Sequence, residues 1–204
     1  VHAYASPFVA RRLAPDARVL LSQVPWSTYV TMRDLLDEAG SHVRLTYLAG
    51  MLEIMSPSND HERLKTLLAR LVEAWADEAD VDLEGLGSTT FRREAKERGL
   101  EPDECYCVGE PRELPDFAIE VVVSSGLLDK LDVYAGLGIA EVWVLKDDAL
   151  TVYRLVSGAY RPETASTVLP ALDLAHLASF VRVGARQSAA VRAYRAELRA
   201  RSRR

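Results

Sequence analysis

Apolar residues recur along this chain with two different periods, and the places where one gives way to the other mark its elements. From about Asp60 to Ala79 the stripe Leu64, Leu67, Leu68, Leu71, Val72 and Trp75 repeats every three to four positions, which predicts a long amphipathic helix. Upstream, Pro25-Trp26-Ser27 followed by Tyr29 to Ala39 predicts a shorter helix, with Ser27 as N-cap and Gly40 as stop. Between the two, Val43 to Tyr47 and Met51 to Met55 flank Ala49-Gly50 and predict a β-hairpin, closed by Ser56-Pro57-Ser58.

Downstream the period shortens. Ser88 to Arg92 alternates like a strand, Glu94 to Gly99 is charged and predicts a loop, and Cys105 to Val108 is a short strand just after Pro102-Asp103. Phe117 to Val123 is apolar at nearly every position and predicts a central strand covered on both faces. Leu127 to Leu137 predicts a helix ended by Gly138, and Ile139 to Leu145 a return to strand. Asp147-Asp148 then turns the chain into Leu150 to Leu155, Tyr160-Arg161 extends the sheet, and the C-terminus is helical. From Asp60 to Leu145 the order is helix, strand, strand, strand, helix, strand. That alternation implies an α/β fold in the α+β sense, a mixed sheet with helices packed on it.

The 204 residues suit one domain, with a core over about 43–155 and no linker long enough to divide the chain. Apolar residues make up 49% and charged ones 27%, an ordinary globular balance. No apolar run approaches the roughly 18 residues of a membrane span. Val1 to Leu21 has arginines without the apolar stretch and cleavage site of a signal peptide. Cys105 and Cys107, two apart, read as reduced thiols, which with the absent leader implies a cytoplasmic protein; oligomeric state is left open, a homodimer included. The net charge of −5 argues against nucleic acid, yet Arg182, Arg186, Arg192, Arg195, Arg199, Arg201, Arg203 and Arg204 stand against the single acid Glu197 over 182–204. That arginine-rich tail is either a solubilising helix or a phosphate-contacting arm.

Candidate chemistry begins with Glu120, which interrupts an otherwise uncharged strand. A carboxylate so buried needs a partner or a metal. Asp116, four residues earlier on the same strand, is roughly 13 Å away at about 3.3 Å per residue, too far to share one ion, and is at most a supporting group. Asp103, at the mouth of the preceding strand, can come within a few ångströms of Glu120. Two oxygen donors so placed are what Mg²⁺ takes from a protein when waters and phosphate complete its shell. Lys130 falls in the stripe Leu127, Leu128, Leu131, Tyr134 of the next helix, with Asp129, Asp132 and Gly136 opposite, and a core-facing lysine calls for an anion. His61 leads the stripe of the long helix. Plainer readings stand beside these: Asp103 as a turn residue, Glu120 and Lys130 as a structural pair, His61 as a capping or packing residue.

Several stretches, in order, resemble a known family. Arg44 to Pro57, His61-Glu62-Arg63, Gly87 to Phe91, Glu101-Pro102-Asp103-Glu104-Cys105-Tyr106, Pro115-Asp116-Phe117-Ala118-Ile119-Glu120 and Tyr134 to Trp143 are similar to the Uma2 family of PD-(D/E)xK endonucleases. The resemblance implies a restriction-endonuclease-like core, with a central mixed sheet, a helix on each side and a site for Mg²⁺ or Mn²⁺ acting on DNA. It matches Asp103 to the acid after proline, Glu120 to the acid of the next strand, both as metal ligands, and Lys130 to a lysine displaced onto the following helix. One position departs: where the motif wants lysine two residues after the second acid, this chain has Val122. A degenerate nuclease fold serving as a nucleic-acid or protein-binding module is therefore the alternative, and a structural oligomerising protein a third.

Overall fold

The computed structural model describes residues 15–124, 126 and 128–203. Its elements are β1 (Ala17–Leu21), α1 (Trp26–Glu38), β2 (Arg44–Leu48), β3 (Met51–Ser56), α2 (Asn59–Ala79), β4 (Leu83–Gly85), β5 (Phe91–Arg93) and β6 (Arg98–Leu100). There follow β7 (Glu104–Val108), β8 (Phe117–Val122), α3 (Lys130–Leu137), β9 (Glu141–Lys146), β10 (Ala149–Val156), β11 (Ala159–Glu163), α4 (Leu174–Ala178) and α5 (Gln187–Ser202). This mixed α/β architecture is that of a restriction-endonuclease-like fold. The strands form two sheets, ordered β1-β3-β2-β6-β5 and β11-β10-β9-β8-β7-β4. Among the described residues only β8 and β9 pair in parallel, and the crossover between them carries α3.

The two faces of β8 are sorted by the period of a strand. Phe117, Ile119 and Val121 pack with the α2 residues Leu64, Leu68 and Leu71, while Ala118 packs with Val133, Tyr134 and Leu137 of α3. Phe91 and Leu100 of the first sheet join that second cluster, so α3 is held between the sheets. The first sheet is polarised as well. Leu45, Tyr47 and Leu52 turn outward to Tyr29 of α1. The other side presents polar groups: in register, Arg18 pairs with Met55 and Met55 with Arg44, and Leu20 pairs with Glu53 and Glu53 with Thr46.

Several boundaries differ from the sequence reading. Ser27 lies inside α1, whose N-cap is Pro25 with extended backbone and no side-chain cap; the proline's fixed φ sets the first turn two residues earlier. The charged segment 94–99 is a 3₁₀ turn, Glu94–Lys96, followed by β6, because β2 and β5 satisfy its backbone from either side. The strands β1 and β4 have no counterpart in the expectation. Helix α3 starts at Lys130, not Leu127, since Asp129 accepts from Leu131 N and caps it there at 2.9 Å. Lys130 is thus a first-turn residue rather than a mid-stripe one, and Leu127 lies outside the described residues.

The arginine-rich tail folds as α5 against α2, with Tyr194 fully buried. Arg195 pairs with Asp77 and Glu78, Arg199 with Glu78 and Arg201 with Asp173, so these three meet acids of their own chain. Among the described residues no helix is long and apolar enough to cross a membrane.

Candidate active site

Charged side chains collect where the polar face of the first sheet meets the end of β7 and β8. The antiparallel register pairs Glu104 with Ile119, so Asp103, one residue before β7, stands beside Glu120. Asp103 is fully buried. Its Oδ2 accepts from Val121 N at 2.6 Å, and its Oδ1 takes an ion pair from Arg44, which also donates to Pro102 O at 3.2 Å and Glu62 at 3.0 Å. His61 adds a third partner: Nε2 lies 3.0 Å from Oδ1, off the line of a well-directed hydrogen bond and so an ion-pair contact. The other ring nitrogen, Nδ1, is 3.3 Å from Asp16 Oδ2.

Glu120 is 4% exposed and has different company. Lys130 Nζ donates to Oε2 at 2.6 Å, and Tyr134 donates its hydroxyl to Oε1 at 2.5 Å. Lys130 and Tyr134 are one turn apart on α3, so one helix face supplies both donors. Behind them Glu53, 1% exposed, accepts from Arg18 at 2.6 Å and from Leu128 N at 3.2 Å. Asp16, Glu53, Asp103 and Glu120 are therefore matched by Arg18, Arg44, His61 and Lys130 inside one buried region.

The two central carboxylates are driven apart. Burial pushes both up. For Asp103 the contacts of His61, Arg44 and Lys130 outweigh it and hold the acid below the ordinary range. For Glu120 burial wins, aided by the neighbouring Asp103 charge and opposed by Lys130, so its pKa is raised. Burial opposes the charge on Lys130, but Glu120 and Asp103 prevail and keep it a cation. His61 behaves alike: burial lowers it, Asp103 and Asp16 raise it further, and it is pushed up to about 9.

Sequence reasoning named Asp103, Glu120, Lys130 and His61, and the structure brings all four together. Asp116 is elsewhere: it accepts from Val108 N at 2.8 Å and pairs with Arg112, stitching the 108–116 turn. Asp16, Arg18, Arg44, Glu53 and Tyr134 were not named as site residues. Glu53 carried the same signal as Glu120, a carboxylate in a strand between the inward Met51 and Met55. Arg18 and Asp16 carried none, because β1, exposed along most of its length, has no apolar alternation to announce its register.

A match spans residues 26–187, to the Uma2 family, described as "Putative restriction endonuclease". The chain belongs to the Uma2 family. No curated protein matches it. Uma2 membership points to nuclease chemistry and to nucleic acid as the partner. The matched span includes Asp103, Glu120, Lys130 and His61, and leaves β1 and nearly all of α5 outside it.

Proposed function

We propose that this Uma2 protein is a metal-dependent endonuclease that hydrolyses phosphodiester bonds in DNA, with Asp103, Glu120 and Lys130 as its centre. The observation that carries the reading is the pair of adjacent buried carboxylates whose proton affinities are pushed in opposite directions, with one lysine charged against both. A purely structural cluster has little need of that. Buried ion pairs do no better for stability than apolar packing of the same volume.

The donor set fits a hard divalent cation. Among the described residues there is no group of three or more His, Cys, Asp and Glu side chains suited to a metal. Mg²⁺ takes only one or two carboxylates, however, leaving the rest to water and substrate phosphate. Each carboxylate also retains lone pairs, since two oxygens offer about four acceptor sites and Glu120 uses two. Asp103 and Glu120 would hold Mg²⁺ or Mn²⁺, which when bound supplies Lewis acidity toward the scissile phosphate.

The remaining roles belong to the chain. Arg44, His61 and Val121 N fix the orientation of Asp103, so its carboxylate needs no reorganisation when substrate arrives. Glu120 aims the Lys130 ammonium. Nζ can donate to the attacking water or to a nonbridging phosphoryl oxygen, where negative charge grows in the transition state. This is the role Val122 cannot fill, and the first turn of α3 brings a lysine to the same carboxylate.

The test is cleavage of supercoiled plasmid with Mg²⁺ or Mn²⁺, alongside thermal melts. Lys130→Met is expected to keep metal binding and lower turnover by roughly 10²–10³-fold. Either ion should raise the wild-type Tm in proportion to occupancy, and Asp103→Asn should remove that rise. Wild type that binds metal and cleaves neither DNA nor RNA would overturn the nuclease reading in favour of a binding module.

A further inference from the structure

A cavity of about 180 Å³ opens beside Glu120 and Lys130. Much of its wall is apolar, from Leu128, Leu131, Val142, Val144 and Tyr153, and its volume is that of a small ligand group rather than a duplex. Two polar side chains in the wall have an atom without a hydrogen-bond partner among the described residues: Arg18 Nε and Ser124 Oγ, each buried. The Arg18 side chain is 10% exposed, and its terminal nitrogens are held by Glu53 and Asp16. The guanidinium plane is thus fixed while its Nε–H is left over. A buried donor with no acceptor is costly in any protein, and two in one cavity mark a place where an acceptor belongs.

We propose that Arg18 and Ser124 form a phosphate subsite, which holds one phosphate of the nucleic-acid backbone while its nucleoside lies along the apolar wall. The inference rests on the nuclease reading for its substrate and adds to it a strand, β1, that lies outside the family-matched span. The chemistry selects an oxyanion. Both orphan groups are donors, Arg18 and Lys130 are cationic, and a phosphate oxygen accepts from a guanidinium Nε–H and a hydroxyl together. An apolar wall continuing from those donors suits the uncharged sugar and base of a single nucleotide, as found when a strand end or unstacked nucleotide enters a pocket.

The probes are thymidine 5′-monophosphate, inorganic phosphate and thymidine, titrated by calorimetry into the full chain without divalent metal. Wild type should bind the monophosphate, bind inorganic phosphate more weakly and bind thymidine weakest. Ser124→Ala removes a hydroxyl without a hydrogen-bond partner among the described residues, so the fold should be kept and monophosphate affinity should fall about tenfold. Arg18→Lys keeps the charge and loses the Nε–H, and should act in the same direction. In plasmid cleavage both variants should raise KM several-fold with a smaller change in kcat, a split that a merely structural role would not give. Wild-type affinities in both variants, or no monophosphate binding by wild type, would overturn the subsite even if the plasmid is cut. Monophosphate binding that depends on Arg18 and Ser124 in a protein that cuts nothing would uphold the subsite and overturn the nuclease reading instead.

Discussion

His61 is closed between Asp16 and Asp103, and that position decides its charge. Burial disfavours the imidazolium, but the two carboxylates outweigh it and the pKa rises from 6.5 to about 9. Because the folded value lies above the unfolded one, the stabilisation is complete below about pH 6.5 and is lost as pH climbs through 9. Asp16 runs the other way. Burial raises it, yet His61, Ser58 N and Arg18 bring it down from 3.8 to about 2, so its contribution is present above pH 3.8 and is lost as pH falls through 2. Urea denaturation between pH 6 and 10 should therefore show wild type losing on the order of 3 kcal/mol, while His61→Gln, already weaker, loses markedly less over that window. Equal slopes in the two proteins would mean that His61 is neutral in the fold. At this scale the sequence was legible at two places where a charge broke an apolar pattern, Glu120 within Phe117 to Val123 and Lys130 among leucines, while Glu53 gave the same signal and was passed over. It was not legible for Arg18, Asp16 or Arg44, whose meaning depends on which strand lies beside them.

Turns and close approaches explain which elements could be read in advance. The β2–β3 hairpin was legible because Ala49-Gly50 can take positive φ at both positions, +44° and +86°, the geometry that matches the twist of a two-residue hairpin. Ala49 bears a Cβ in that region at a cost, while its N–H still bonds Glu97 O at 3.1 Å. Ala49→Asn should therefore raise stability by on the order of 1 kcal/mol, visible as a higher Tm; a lower Tm would mean that the turn relaxes in solution. The strand β6 was not legible, because Glu94 to Gly99 is charged and the pairing that ties it into the sheet, with β2, is remote in sequence. What fixes it is Gly99, where a Cβ would stand 2.2 Å from the Tyr29 hydroxyl and 2.7 Å from its ring carbon Cζ. Tyr29 is fully buried and has no room to swing away, so Gly99→Ala should cost about 1–3 kcal/mol by overpacking. The start of α3 was misread for a related reason: apolar residues continue upstream, but Asp129 caps the helix and hands Lys130 to the site.

Over the whole molecule, the described residues outside the family-matched span are built into the structure on both sides of it. The strand β1 brings Arg18 and Asp16 to the site, and α5 closes the far face of α2. The arginines of α5 could be read in the sequence either as a solubilising helix or as a nucleic-acid arm, because their partners, Asp77, Glu78 and Asp173, lie far away along the chain. Those pairs are at the surface, where ion pairs are screened and side-chain ordering offsets most of the attraction. Replacing Arg195 and Arg199 by glutamine should move the Tm little and leave the salt dependence of nucleic-acid binding as it was. A strong fall in affinity would restore the arm. What α5 contributes instead is Tyr194, fully buried between Phe180 and His176 with ring centroids 5.1 and 5.2 Å away. Its truncation to alanine should cost about 3–5 kcal/mol, as for other buried aromatics, because the helix cannot collapse into the space. The hydroxyl is a separate matter. Buried and without a partner among the described residues, it is a burden that Tyr194→Phe would lift. Chemical denaturation of the two variants separates ring from hydroxyl. Alanine should lower the midpoint strongly, and phenylalanine should hold or raise it. A phenylalanine variant as weak as alanine would mean that the hydroxyl, not the ring, anchors α5.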